Sequence, residues 1–266
     1  MENCKIVAVA NQKGGTGKTT TASNMGNALA AEGKRVLLVD FDPQANLSMS
    51  FGIERPDELN TSMHNILSLV MDGQGLPEDL SYVLRGENLD IIPSNINLSI
   101  TEINLRDELG GERTLSELLE PLRSSYDYIV IDTNPYLGML TINALAACDS
   151  VIIPVSPQLW SATGLTDLMQ TILKVKRKIN PRIEVDGILL TMCDERTNLF
   201  KEAKKLLDDF CGDKMKIFDT HIPSTVKVGE ANYSSRCIMD YDSKSKAALA
   251  YMDLAKEVIA HGNSNT

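Results

Sequence analysis

A doubly wound α/β fold, one mostly parallel sheet with helices on both faces, is what this 266-residue sequence predicts. Short β-branched runs alternate with helical stretches along the chain. Several runs are almost wholly apolar, as strands covered on both faces are. The chemically informative residues follow the strands, at the carboxyl ends where open α/β sheets bind ligands. Strands are expected at Lys5–Ala10, Arg35–Asp40, Leu89–Pro93, Tyr126–Asp132, Ser150–Val155 and Ile183–Thr191. Helical patterns fill Lys18–Glu32, Thr61–Val70, Thr114–Arg123, Leu137–Ala147, Thr163–Ile179, Asn198–Phe210 and Ser243–Ala260. No linker, repeat or low-complexity tract interrupts them, so residues 1–266 are expected to form one domain. The stretch 52–88, with Pro56, Gly73, Gly75 and Pro77, is the least regular and reads as a surface insertion. The polar HGNSNT end reads as frayed.

Composition narrows the function classes. At 43% hydrophobic and 23% charged residues the chain is neither disordered nor fibrous. No run of 18 apolar residues exists and the N-terminus has no signal-peptide layout, so no membrane partner is expected. The five cysteines, Cys4, Cys148, Cys193, Cys211 and Cys237, show no metal spacing and fit reduced thiols in a cytoplasm. His64, His221 and His261 are scattered and are assigned no chemistry. The net charge of −10 is unevenly spread: residues 172–246 hold 15 Lys/Arg against 12 Asp/Glu. That late basic surplus could meet a polyanion, or could be a solvated helix face.

After the first strand come Asn11, Gln12, Lys13, Gly14, Gly15, Thr16, Gly17, Lys18, Thr19 and Thr20, then a helix. Glycines let the backbone turn tightly so that N–H groups converge on phosphate oxygens, and the helix adds its positive end. Lys18 would neutralise β/γ charge and Thr19 would offer its hydroxyl to Mg²⁺. Gln12 replaces the first glycine of the ordinary phosphate-loop pattern, and Lys13 adds a second cation. Lys13 could fold back on its own nucleotide or reach one held by another subunit; electrostatics alone does not choose. Two more strands end in acids: Asp40-Phe41-Asp42-Pro43-Gln44, and Asp132-Thr133-Asn134-Pro135. Such carboxylates serve magnesium or arrange an attacking water.

The KGGTGKTT stretch resembles the deviant Walker A loop of the ParA/MinD/Soj ATPases. Asp40–Gln44 resembles their switch I pattern D-x-D-P-Q, and Asp132 their Walker B acid. Thr191-Met192-Cys193-Asp194-Glu195-Arg196-Thr197-Asn198-Leu199 resembles a further stretch that ends beside adenine. The resemblance runs from residue 5 to about 258 and implies ATP and Mg²⁺ as cofactors. It implies that Lys13 crosses a dimer interface to the partner's ATP, while Gly14, Gly15, Thr16, Gly17, Lys18, Thr19 and Thr20 cradle phosphates. Thr19, Asp40 and Asp132 would then serve the metal. Asp42 would orient water, with Lys13 and Lys18 stabilising transferred charge. Asp194 would accept from the adenine amino group or act as a helix N-cap. Cys193 reads as packing. Asn134 stands where the family usually has proline, which is expected to loosen that loop.

Within the family, the DPQ switch and a carboxyl end without an amphipathic face resemble Soj and ParA more than MinD. The cysteine pair of a nitrogenase-type iron protein and the tyrosine-rich tail of a bacterial tyrosine kinase are absent from the sequence. The resemblance implies an ATP-dependent homodimer that binds double-stranded DNA nonspecifically on the nucleoid and is stimulated by a ParB-like centromere-binding protein. Candidate phosphate contacts are Lys201, Lys204, Lys205, Lys214, Lys216, Lys227, Arg236, Lys244 and Lys246. Lys201, Lys204 and Lys205 share a helix face. Ser224 stands where relatives often carry an arginine. A MinD-like or orphan positioning ATPase and a regulatory partner with a vestigial ATPase are the alternatives.

Overall fold

The computed structural model describes residues 4–77, 80–86, 89–158, 162–212 and 215–264. Seven strands form one sheet: β1 (Lys5–Val9), β2 (Val36–Phe41), β3 (Leu84–Arg85), β4 (Asp90–Ile92), β5 (Tyr128–Thr133), β6 (Ser150–Val155) and β7 (Glu184–Leu190), in the order β3-β4-β2-β5-β1-β6-β7. Every pairing is parallel except β3 with β4. The chain leaves β1 for β2 on one side and returns through β5 to β6 on the other. The order therefore reverses beside β1, the switch point outside whose carboxyl end open α/β sheets bind ligands.

Alternation within the strands builds two cores. Ile6 and Ala8 of β1 face one, and Val7 and Val9 the other. Over the first face lie α3 (Met63–Met71), α4 (Leu98–Asp107), α5 (Thr114–Leu119), α6 (Met139–Ala147), α7 (Ala162–Lys178) and α8 (Asn198–Cys211). Over the second lie α1 (Lys18–Ala31), α2 (Asn46–Ser50), α9 (Val226–Tyr233), α10 (Ile238–Asp242) and α11 (Lys246–Ser264). Helix α1 sits close on the sheet because Gly26 has no side chain; a Cβ there would lie 2.5 Å from Leu38 Cδ2.

Three expectations change. The 52–88 stretch is no surface insertion, since Met63, Ile66, Leu67, Tyr82 and Val83 are buried in the first core and β3 edges the sheet. The end is helical further than its polarity suggests, because α11 runs through to Ser264. Helices α2, α4, α9 and α10 were not expected. In α4 the buried side chains are Leu98, Thr101 and Leu105, while Ile96 before it and Ile100 and Ile103 within it face outward. Its most hydrophobic stripe therefore points away from the core and disguises the helix.

Candidate nucleotide site

The phosphate loop is shaped by two left-handed glycines, Gly15 (φ 74°) and Gly17 (φ 85°), with Gly17 capping α1. A β-carbon is strained in that conformation, so glycine suits both positions. Asn11 fastens the loop's start by donating to the Pro154 carbonyl at 2.7 Å and accepting from the Lys13 N–H at 3.0 Å. Thr191, just past β7, donates to the Thr16 carbonyl at 2.8 Å. The loop is thus held from the ends of β6 and β7. The Lys18 ammonium donates to the Lys13 carbonyl at 3.0 Å, which brings the two lysines of the motif into one arrangement. Burial lowers the Lys18 pKa, opposed by the charges of Asp132 and Asp42.

Two carboxylates, Asp132 and Asp42, act on that lysine, and Asp40 stands beside both. Asp40 and Asp132 are register partners on adjacent strands β2 and β5, and both are fully buried. Asp40 is already satisfied: Ser48 donates to Oδ2 through its N–H and its hydroxyl, both at 2.7 Å. Burial nevertheless pushes its carboxyl up to about 7. Asp132 is not satisfied. Among the described residues neither of its oxygens has a hydrogen-bond partner, although the Thr19 hydroxyl stands close enough to ease the shift that burial and Asp40 impose well upward. Asp42 accepts from the Gln44 N–H at 3.0 Å, and burial raises its pKa too.

Two orphaned, buried carboxylate oxygens beside a threonine hydroxyl suit a hard divalent cation. Among the described residues no cluster of three or more His, Cys, Asp or Glu side chains could hold a metal alone.

Other sequence expectations resolve differently. Asp194 is not the N-cap of α8; Thr197 is, accepting from the Phe200 N–H at 3.2 Å. The Asp194 carboxylate holds Arg196 with two bonds of 2.9 Å. Asn134 gains a contact that proline could not make. Its Oδ1 lies 3.0 Å from the Thr141 hydroxyl of α6, which also meets the Tyr136 carbonyl, so the loop is tied to a helix. Cys193 is buried with its thiol pushed up to about 12, in keeping with packing.

The basic segment divides. Lys201, Lys204 and Lys205 ride on α8 over the first face, whereas Lys227, Arg236, Lys244 and Lys246 belong to the α9–α11 layer on the second. Lys204 is spanned by Asp208 at 3.9 Å, Lys216 by Glu257 at 3.1 Å, and Lys227 by Glu230 at 3.9 Å and Asp242 at 4.0 Å. Among the described residues, Lys201, Lys205, Lys244 and Lys246 are exposed without an acidic partner. Lys214 lies outside the described residues. Ser224 donates its N–H to the Cys193 carbonyl at 2.8 Å, so it lines up beside the end of β7.

Strand order, phosphate loop and acid-tipped neighbouring strands define a P-loop NTPase with the paired-lysine form of the loop. The chain belongs to the ParA/Soj family of partitioning ATPases. The AAA domain family matches residues 4–185. The sporulation initiation inhibitor protein Soj of Bacillus subtilis is 44% identical over 262 residues, covering 97% of this chain and 99% of Soj. The chromosome partitioning protein ParA of Caulobacter vibrioides is 40% identical over 258 residues, covering 96% of this chain and 94% of ParA. A Mycobacterium smegmatis crystal structure, described as cobyrinic acid a,c-diamide synthase with bound ADP and magnesium, superposes with a TM-score of 0.84 at 34% identity, covering 99% of this chain and 97% of that one. Among the described residues no helix is long and apolar enough to cross a membrane.

Proposed function

We propose that this chain is an ATP-driven DNA-partitioning switch working as one unit over residues 1–266. Two copies close around two ATP molecules. The closed dimer holds duplex DNA through phosphate contacts without regard to sequence, and a ParB-like partner accelerates a slow hydrolysis that releases it. The observation that carries this reading is the buried Lys18 ammonium, bonded to the Lys13 carbonyl and flanked by Asp42 and Asp132. That arrangement sets a fixed cation beside two acids, so that Lys18 can meet phosphate charge while a carboxylate beside it serves a divalent cation.

In this reading the N–H groups of Gly14, Gly15, Thr16 and Gly17 cradle phosphate oxygens, with Thr20 closing the first turn. Lys18 steadies β/γ charge. Thr19 and Asp132, with Asp40 behind them, would hold magnesium, which would supply positive charge against the charge that develops in phosphoryl transfer. Asp42 orients the attacking water. Asp194 keeps lone pairs beyond its Arg196 pairing that an adenine amino group can use. Lys13 reaches the partner's ATP, so a single γ-phosphate biases the monomer–dimer equilibrium through contacts only the dimer makes.

DNA contacts come from the exposed lysines Lys201, Lys205, Lys244 and Lys246, with Lys204, Lys227 and Arg236 available once their present partners release them. Filter binding of random duplex DNA at several salt concentrations tests the function. Binding that appears only with ATP and falls steeply with salt is expected; equal binding with ADP would overturn it. Lys13→Gln is expected to keep ATP affinity and remain monomeric by light scattering. A normal ATP-dependent dimer would remove the cross-subunit role.

A further inference from the structure

The helix that begins at the phosphate loop also grips a distant bend of the chain at two points. Thr20 and Asn24 lie one turn apart on the same side of α1. The Asn24 amide donates to the Thr20 carbonyl at 2.8 Å, and its oxygen accepts from the Ile238 N–H at 2.7 Å. Asn24 is 1% exposed, so both halves of a buried carboxamide are committed. At the surface, Asn232 Nδ2 donates to the Thr20 hydroxyl at 3.3 Å.

Between those contacts residues 232–238 fold back on themselves. Ser235 is left-handed at φ 50°, and the Arg236 N–H donates to the Ala231 carbonyl at 3.0 Å. Arg236 lies over the Tyr241 ring at 6.0 Å, and Lys227 approaches the same ring at 5.7 Å. The bend therefore carries part of the second-face basic surface, and Tyr233 stands beside it 94% exposed.

We infer that Asn24 and Asn232 are positioning residues that relay phosphate occupancy of the loop to the 232–238 bend. A hydroxyl has one proton to give and can accept as well. With Asn232 donating to it, the Thr20 oxygen directs its proton elsewhere, and a phosphate oxygen in the loop is an acceptor within its turn. Each bond polarises the next, so filling the loop tightens the Thr20–Asn232 contact and holds the bend. Asn24 fixes the far end of the bend to the same turn of α1, through the Thr20 carbonyl and the Ile238 N–H.

The inference rests on the nucleotide-binding reading, and hydrogen–deuterium exchange of the full chain with and without ADP and Mg²⁺ separates the two. ADP fills the loop without a γ-phosphate, so it tests occupancy apart from dimer closure. In the unaltered protein, exchange across residues 233–242 is expected to slow about fivefold, the factor given by about 1 kcal/mol from one net hydrogen bond. Amides of α7, on the opposite face, serve as the unresponsive control. In Asn232→Leu and Asn24→Ala, ADP should still bind while the slowing disappears. Asn232 is on the surface, so that variant carries the test if Asn24→Ala does not fold. Asn232→Gln, which keeps the donor, should restore the response. Bound ADP without slowing in the unaltered protein, or undiminished slowing in Asn232→Leu, overturns the relay alone. Failure to bind ADP overturns the nucleotide reading and the relay with it.

Discussion

Asp42→Ala is expected to lower ATP hydrolysis by about 10²–10⁴-fold, the usual contribution of a positioned base, while ATP affinity stays within a few-fold. The side chain is placed by a tight turn rather than by a partner side chain. Its own N–H donates to Asp40 Oδ1 at 3.3 Å, its carbonyl accepts from the Ala45 N–H at 2.9 Å, and its Oδ1 accepts from the Gln44 N–H at 3.0 Å. Ala45 pays for that turn with a left-handed φ of 53°. The turn follows directly on β2, which is buried throughout, so the carboxylate has little room to move.

Asp42 carries no phosphate-cradling N–H, and its loss leaves Lys18 with the charge of Asp132. Binding should therefore survive while water loses its orienting acceptor, and the DNA-bound dimer should accumulate. Asp42→Asn, which keeps the shape and drops the charge, is expected to fail equally. Phosphate release measured beside equilibrium ATP binding decides the matter. Turnover within tenfold of the unaltered protein would take Asp42 out of the reaction.

What the sequence revealed and what it hid have a common physical origin. Buried parallel strands are covered on both faces, so β1, β2, β5 and β6 read as short apolar runs. The loop is equally local, because Gly15 and Gly17 must take positive φ within three residues of Lys18. Partnerships across the chain were hidden. Nothing near Asp40 announces that Ser48 will satisfy it, nor near Thr20 that Asn232 will return to it from 212 residues away. Nor does anything near Asn134 announce that the Thr141 hydroxyl on the next helix will meet its side chain. The basic segment looked continuous in sequence, yet the crossover from α8 to α9 places its halves on opposite faces of the sheet.

Asp132→Asn is expected to abolish measurable hydrolysis and yet make the metal-free protein more stable. Asp132 is 0% exposed, its oxygens have no hydrogen-bond partner among the described residues, and Asp40 faces it across the β2–β5 register. A buried group left unsatisfied costs about 1–3 kcal/mol, more when charged, so removing the charge should recover an amount of that order. The loss of one attraction to Lys18 works against the gain, but Asp42 still faces that ammonium. The pH dependence carries the same sign. Burial raises Asp132 well above 3.8 and Asp40 from 3.8 to about 7. Between those values the folded chain holds more protons than the unfolded one, so stability falls as pH rises through that window. Thermal unfolding in EDTA should give a lower midpoint at pH 8 than at pH 5, with a shallower difference in Asp132→Asn. Identical midpoints and pH slopes in the two proteins would mean that the carboxylate is satisfied by something other than a cation, and the magnesium assignment at β5 would fall.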